Sequence, residues 1–272
     1  MTNARPSIFD PDSALAVGIG RLLLAVTVLL VWQLGAGHLF DIFFFGKPSL
    51  IAVSIFNDLR DPGFYRDLGV TGMEFGMGYV IGGFAGIASG VLLARWKYLA
   101  KLADPFLLAL NCIPRIALAP MLIVWFGIGM SSKVFLSATL VFFIMFFNTL
   151  SGIRSVSPAL CSVAKIQGAT QWQIFTKIML PSASSWIFTG LKMSLPFALV
   201  GVIIGEFMVS SVGLGYRLNA YATAYNTSAA LGMIMIMMCL MMLLTWGANA
   251  LDARLMGWRD DGGDSASAAL KA

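Results

Sequence analysis

Six stretches of this chain are apolar over about the length a helix needs to cross a bilayer, roughly 20 residues. They fall at about 16–38, 68–94, 104–129, 133–153, 185–209 and 228–250. Hydrocarbon offers no water to a bare backbone, so only helices or closed barrels span it. A barrel would show segments of ~10 residues alternating between apolar and polar, and the sequence contains none. The chain is therefore read as an all-α polytopic membrane protein with about six transmembrane helices. Charged residues make up 11% of it, against about a quarter in soluble domains.

The few charges are placed with a bias that predicts topology. Segment 95–103 carries Arg95, Lys97 and Lys101, segment 154–184 carries Arg154, Lys165 and Lys177, and the tail carries Arg254, Arg259 and Lys271. On the other side, 39–67 holds Lys47, Arg60 and Arg66, and 210–227 holds Arg217. Basic residues gather in the cytoplasm, which places both termini and 154–184 there. The net charge of +5 thus reports orientation rather than a nucleic-acid partner. We expect a short cytoplasmic segment at 1–15, one membrane domain over 16–255, and a disordered tail over 256–272 rich in Gly, Asp, Ser and Ala. The N-terminus carries Arg5 with Asp10 and Asp12, and its first apolar run is span-length, so no cleavable signal peptide is expected. Segment 48–67 reads as an external amphipathic helix closed by Asp61-Pro62-Gly63, a cluster of helix breakers. Cys112, Cys161 and Cys239 share no metal or disulfide spacing and read as small buried side chains.

The second span carries Gly78, Gly82, Gly86 and Gly90, one glycine every fourth residue, with Gly72 and Gly76 as a further pair. That spacing clears one helix face of side chains and lets another backbone approach closely. No strand precedes these glycines and no Gly-Lys-Ser/Thr follows, so they are not a phosphate loop.

Between the fourth and fifth spans lies a polar-edged hairpin, Ser157 to Pro181. Ser157-Pro158 reads as a helix start, with proline at the first helical position. Gly168 is a helix terminator, Thr170 with Gln173 fits a capping box for a second arm, and Pro181 ends or kinks that arm. Its few charges suit a docking surface better than a catalytic site.

Gly168, nine residues, then Ile178-x-Leu180-Pro181 resembles the EAA loop of ABC-importer permeases, EAA-x3-G-x9-I-x-L-P. The opening departs from that pattern: Ser162 stands where the family has Glu and Val163 where it has Ala, while Ala164 matches. Pro114…Ala119-Pro120-Met121-Leu122…Trp125-Phe126-Gly127-Ile128-Gly129, followed by Ser132-Lys133, is similar to the third span of the nitrate/sulfonate/taurine branch. So are Gly152-Ile153-Arg154…Pro158 and Gly205-Glu206 with Gly213-Leu214-Gly215. The likeness covers roughly 65–255.

The resemblance implies a type I ABC-importer permease fold with a cytoplasmic coupling-helix hairpin at 157–181, seated in a bacterial inner membrane. It implies two ATP-binding-cassette ATPase subunits, a second permease copy or paralogue, and an external substrate-binding protein that sets most of the selectivity. ATP and magnesium would sit on the ATPase, since this chain has no Walker A sequence. Ser162, Ala164, Gly168, Ala169, Thr170, Trp172, Ile178, Leu180 and Pro181 are the implied coupling residues. Small Ala164 and Gly168 permit close approach, and Ile166, Trp172 and Ile174 offer apolar anchors. Ser162 in place of Glu removes one charge that could pair with the ATPase. The branch's solutes include nitrate, sulfonates, taurine and aromatic acids, and also cationic thiamine precursors.

Ionisable residues inside spans are expensive and point to function by default. The chain's only two glutamates, Glu74 and Glu206, both fall in predicted spans. Glu206 is expected either to hold the following loop by accepting backbone N–H groups or to serve as a gate or solute contact; Glu74 reads as structural. Arg115 lies about 16 Å into the third span at 1.5 Å per residue. It is either an anion contact on the solute path, with Asn111 as a neighbouring candidate, or an arginine that snorkels or pairs with an intramembrane carboxylate. A secondary transporter without an ATPase remains the alternative; that class often shows inverted repeats and midplane ion sites. An intramembrane enzyme is disfavoured, because one histidine and no nucleophile–base or metal-ligand pattern leave it no catalytic residues.

Overall fold

The structure, a computed structural model, describes residues 14–39 and 41–255. Apart from Ala14 and Leu15, the expected N-terminal segment lies outside the described residues, as does the whole tail 256–272. The helices are α1 (Ala14–Gly35), α2 (Ile42–Phe45), α3 (Pro48–Arg60), α4 (Pro62–Arg95), α5 (Lys97–Cys112), α6 (Ala119–Phe126), α7 (Met130–Arg154), α8 (Pro158–Ile166), α9 (Gln171–Ile174), α10 (Leu180–Val209), α11 (Leu214–Thr223) and α12 (Thr227–Leu255). A 3-10 turn, Arg115–Leu118, precedes α6, and a π turn, Phe175–Met179, joins α9 to α10. Among the described residues, five helices are long and apolar enough to cross a membrane, or six if α5 and α6 form one bent span.

The chain forms two compact units. One comprises Met1–Tyr65 and Arg217–Ile236. In it Gln33 and Ser49 tie α1 to α3, the Ser49 amide donating to Gln33 Oε1 at 3.0 Å. Arg217 donates to Asp58 at 3.2 Å and to Asp61 at 2.8 Å, and the Tyr221 hydroxyl donates to Asp58 at 2.5 Å. Hydrogen bonds from Arg217 and from the Gly63 amide hold the Asp61 carboxyl below the usual carboxylate range. Burial and the neighbouring Asp58 push the Tyr221 hydroxyl up. The amphipathic helix expected over 48–67 ends at Arg60. Asp61 is extended and accepts the Gly63 amide at 2.9 Å, so Pro62 opens α4 well before the expected start near 68.

The other unit comprises Arg66–Tyr216 and Met237–Ala272, and α7 is its buried axis. Gly78, Gly82, Gly86 and Gly90 of α4 lie against it. A Cβ on Gly90 would stand 2.9 Å from Thr149 Cβ, one on Gly86 2.6 Å from the Phe142 carbonyl, and one on Gly82 2.9 Å from Ala138 Cα. Gly72 and Gly76 have open space instead. From the other side α10 brings Gly190 against Asn148, Gly201 against Ser137 and Gly205 against Lys133. Val141, Met145 and Ala198, all at 0% exposure, form the centre with Phe75 and Tyr79 of α4 and Ile187 and Leu191 of α10. Lipid is as apolar as leucine, so such contacts stabilise by close packing and hydrogen bonds rather than by excluding water.

Two expectations are corrected here. The third span is not a continuous helix over 104–129. Pro114 lacks an N–H and forces Ile113 to extended backbone, and the helical pieces Pro105–Cys112 and Arg115–Phe126 meet at 76°. The cysteines are not core residues either. Cys112 and Cys239 are exposed and Cys161 intermediate, because an apolar neighbourhood in a membrane chain marks a lipid-facing surface as readily as an interior.

Candidate functional site

The hairpin's turn is built by local chemistry. Gly168 has φ +85°, a left-handed conformation that glycine adopts freely. Its amide donates to the Lys165 carbonyl at 2.9 Å, and the Ala169 amide donates back to Ala164 at 2.9 Å. These two bonds define a Schellman stop. Thr170 then opens α9 with both bonds of a capping box, its Oγ1 accepting the Gln173 amide at 3.2 Å and its own amide donating to Gln173 Oε1 at 2.8 Å. Ser157 precedes Pro158 at the N-cap of α8 but makes no side-chain cap, and the Ser162 hydroxyl donates to the Pro158 carbonyl at 2.9 Å.

This turn leaves Ile166 86% and Trp172 60% exposed, while Ala164 is buried. Ile174, expected as an anchor, is 2% exposed and packs inward. Pro181 does not end the second arm. The backbone widens into a π turn through Phe175, Thr176, Lys177, Ile178 and Met179, and the Leu180 amide donates to the Phe175 carbonyl. The wider turn accommodates the proline's missing N–H, and helix runs on from Gln171 to Val209.

At the break in the third span, Arg115 caps the end of α5. Its Nη2 donates to the Asn111 carbonyl at 3.2 Å and to Asn111 Oδ1. The guanidinium stacks over the Phe143 ring at 4.2 Å from the centroid, and its buried Nε has no partner among the described residues. No carboxylate pairs with it among the described residues. Asn111 and Arg115 line a cavity of about 620 Å³ between the break, α7 and α10. Glu206 is not in that wall.

Glu206 instead sits at the centre of a buried polar cluster. One carboxylate oxygen accepts the Gly215 amide at 2.6 Å, and the other accepts the Thr71 hydroxyl at 2.6 Å. Thr71 in turn accepts the Leu214 amide at 2.8 Å, and Asp67 accepts the Gly213 amide at 3.0 Å. Lys133 is ion-paired with Glu74 and donates to Ser210 at 3.2 Å. The loop 210–215 is thus held by α4, α7 and α10 together. The sequence reading gave Lys133 no role beyond its place in the Ser132-Lys133 motif, and passed over Thr71 and Asp67. Lys133 could have been found as a cation heading an apolar run, in a chain with two intramembrane carboxylates to neutralise. Lys192 of α10 was also passed over, and it pairs with Asp252 of α12 at 2.5 Å.

Packed membrane helices, a broken span beside a cavity and a hairpin with exposed apolar tips suit a membrane transport subunit. The chain belongs to the family of binding-protein-dependent transport system inner membrane components, whose model matches residues 78–257. It is 28% identical over 240 residues to SsuC of Bacillus subtilis, described as an aliphatic sulfonates transport permease, covering 88% of this chain and 87% of that one. It is 27% identical to the formylaminopyrimidine transport permease ThiX of Halalkalibacterium halodurans, covering 87% of this chain and 94% of that one. In fold it is similar to a chain of a bacterial ABC transporter that imports the acidic polysaccharide alginate, with a TM-score of 0.60 at 16% identity, covering 89% of this chain and 94% of that one. The protein is thus a multi-pass inner-membrane permease subunit of an ABC importer, and the secondary-transporter alternative falls.

Proposed function

We propose that this permease imports a small organic anion, pairs with a second permease subunit, and is driven by two ATPases that grip the hairpin on the cytoplasmic side. The observation that carries the coupling role is the Gly168 turn, which leaves Ile166 86% and Trp172 60% exposed, the Trp172 ring resting against Phe175 and the Arg95 guanidinium. An apolar tip on a helix edge fits a groove on a partner. Nucleotide-driven closure of the ATPases would then draw the two hairpins together and rock the spans. Shifting such an equilibrium from 1:99 to 99:1 takes about 5.5 kcal/mol of differential binding, a plausible share of the energy of nucleotide binding. The basic bias of 95–103 and 154–184 supports the cytoplasmic placement. Arg115 supports the anionic solute, being a cation in the cavity wall with no acidic partner among the described residues.

Gly168→Val tests the coupling role. A β-branched residue resists φ +85°, so the variant should reach the membrane yet lose ATPase co-purification and ATP-dependent uptake. Uptake equal to that of the unmodified importer would refute the role.

A further inference from the structure

We propose that the cavity at the broken third span binds an organic monoanion whose oxyanion rides on a flat apolar body, such as an aromatic sulfonate or carboxylate. Arg115 holds the anionic group and Phe143 and Phe147 hold the ring; the assignment rests on the importer reading. Three features of the wall lead to it. Arg115 supplies the only formal charge among the lining residues. The wall would leave a second negative charge on the solute uncompensated, and an ammonium group likewise, because no carboxylate lines the cavity among the described residues. Dianions and zwitterions are thereby disfavoured.

Size gives the second restriction. At about 620 Å³ the cavity has room for roughly 20 waters at ~30 Å³ each. A bare inorganic oxyanion would fill a small corner and leave the apolar wall facing water. Ligand sites of this volume accommodate a drug-sized organic molecule.

The third feature is the arrangement of the guanidinium. The Asn111 contacts occupy Nη2, and Phe143 covers one face of the plane. The guanidinium, which meets no carboxylate among the described residues, is the donor offered to an oxyanion, and a charge-assisted bond of that kind is roughly twice as strong as a neutral one. An aromatic body bound through that donor can lie along the phenylalanine wall, where offset stacking adds to simple burial.

The test uses the assembled importer, purified with its ATPase and without its binding protein, and titrates it calorimetrically with benzenesulfonate, methanesulfonate, taurine and nitrate. Benzenesulfonate should bind at least about tenfold more tightly than the other three, the scale that added apolar surface gives in a pocket. Arg115→Gln keeps a donor for the Asn111 carbonyl but removes the charge, and it should weaken benzenesulfonate at least about tenfold. Phe143→Leu, which keeps apolar bulk without the ring face, should weaken it several-fold.

The series on the unmodified importer decides the matter even if a variant fails to assemble. Equal binding of the four anions, or no binding of benzenesulfonate, overturns the assignment. So does undiminished binding in Arg115→Gln. ATPase co-purification and ATP-dependent uptake with the binding protein are measured on the same preparation. If they persist without the aromatic preference, the cavity assignment alone fails; if they are absent, the importer reading fails with it.

Discussion

Lys133 and Glu74 form an ion pair inside the membrane domain, with side chains 5% and 1% exposed. Each keeps the other's charge tolerable. Removing one partner leaves a buried, uncompensated charge, which costs about 3–5 kcal/mol, whereas replacing both with apolar residues of similar volume is often neutral. Lys133→Met should therefore lower the thermal midpoint of the detergent-purified protein sharply, and adding Glu74→Leu should restore most of the loss. A double variant as unstable as the single one would show that the pair does more than neutralise itself.

Gly82→Val tests the α4–α7 contact. A side chain at Gly82 meets the Ala138 backbone, which cannot swing aside as a flexible side chain would. Overpacking costs about 1–3 kcal/mol, occasionally more, and the variant should melt earlier. Gly72→Val, at a position with open space, is the matched control and should change the midpoint by much less.

Gly213→Ala tests the clasp on loop 210–215. Gly213 sits at φ +114°, and an added Cβ would run into the Glu206 carboxylate. Strained backbone of this kind costs about 1–3 kcal/mol. We expect the loop to loosen, seen as faster hydrogen exchange at the Gly213, Leu214 and Gly215 amides. Glu206→Gln should speed exchange at Gly215 more than at Gly213, because the Gly213 amide is held by Asp67.

Asp61 sets a pH dependence whose sign is fixed by its lowered pKa. A carboxyl that ionises more readily when folded adds stability above its unfolded pKa, about 3.9, and loses that contribution as pH falls through the lower folded value. Stability from this contact should hold through neutral and mildly acidic pH and fade below about pH 4. Melting curves of Asp61→Asn across that range should show a shallower acid limb than the unmodified protein.

Local chemistry was the most readable part of the sequence. The Thr170–Gln173 capping box and the Gly168 turn lie within a few residues of one another, so spacing alone specifies them. The glycine face of α4 was visible because a four-residue period marks one side of a helix. Pairings across distant sequence were not visible: nothing near Lys133 names Glu74, and nothing near Lys192 names Asp252. The bend at Pro114 and the helix that continues past Pro181 show a further limit. A proline removes an N–H at either position, but the surrounding packing decides whether the backbone breaks, as between α5 and α6, or widens, as between α9 and α10. The inward turn of Ile174 was hidden for the same reason, since an amphipathic arm four residues long has no sequence period.

The widened turn at Phe175–Met179 sets the azimuth of the hairpin's second arm relative to α10. It accommodates one residue more than a regular coil of that height, and each residue of an α-helix advances the azimuth by about 100°. With ordinary spacing through the same stretch, Trp172 would point to a different quarter of the compass relative to α10. The supernumerary residue therefore sets which way the exposed tip faces, and deleting it would leave the arm its length while swinging Trp172 to another side of α10.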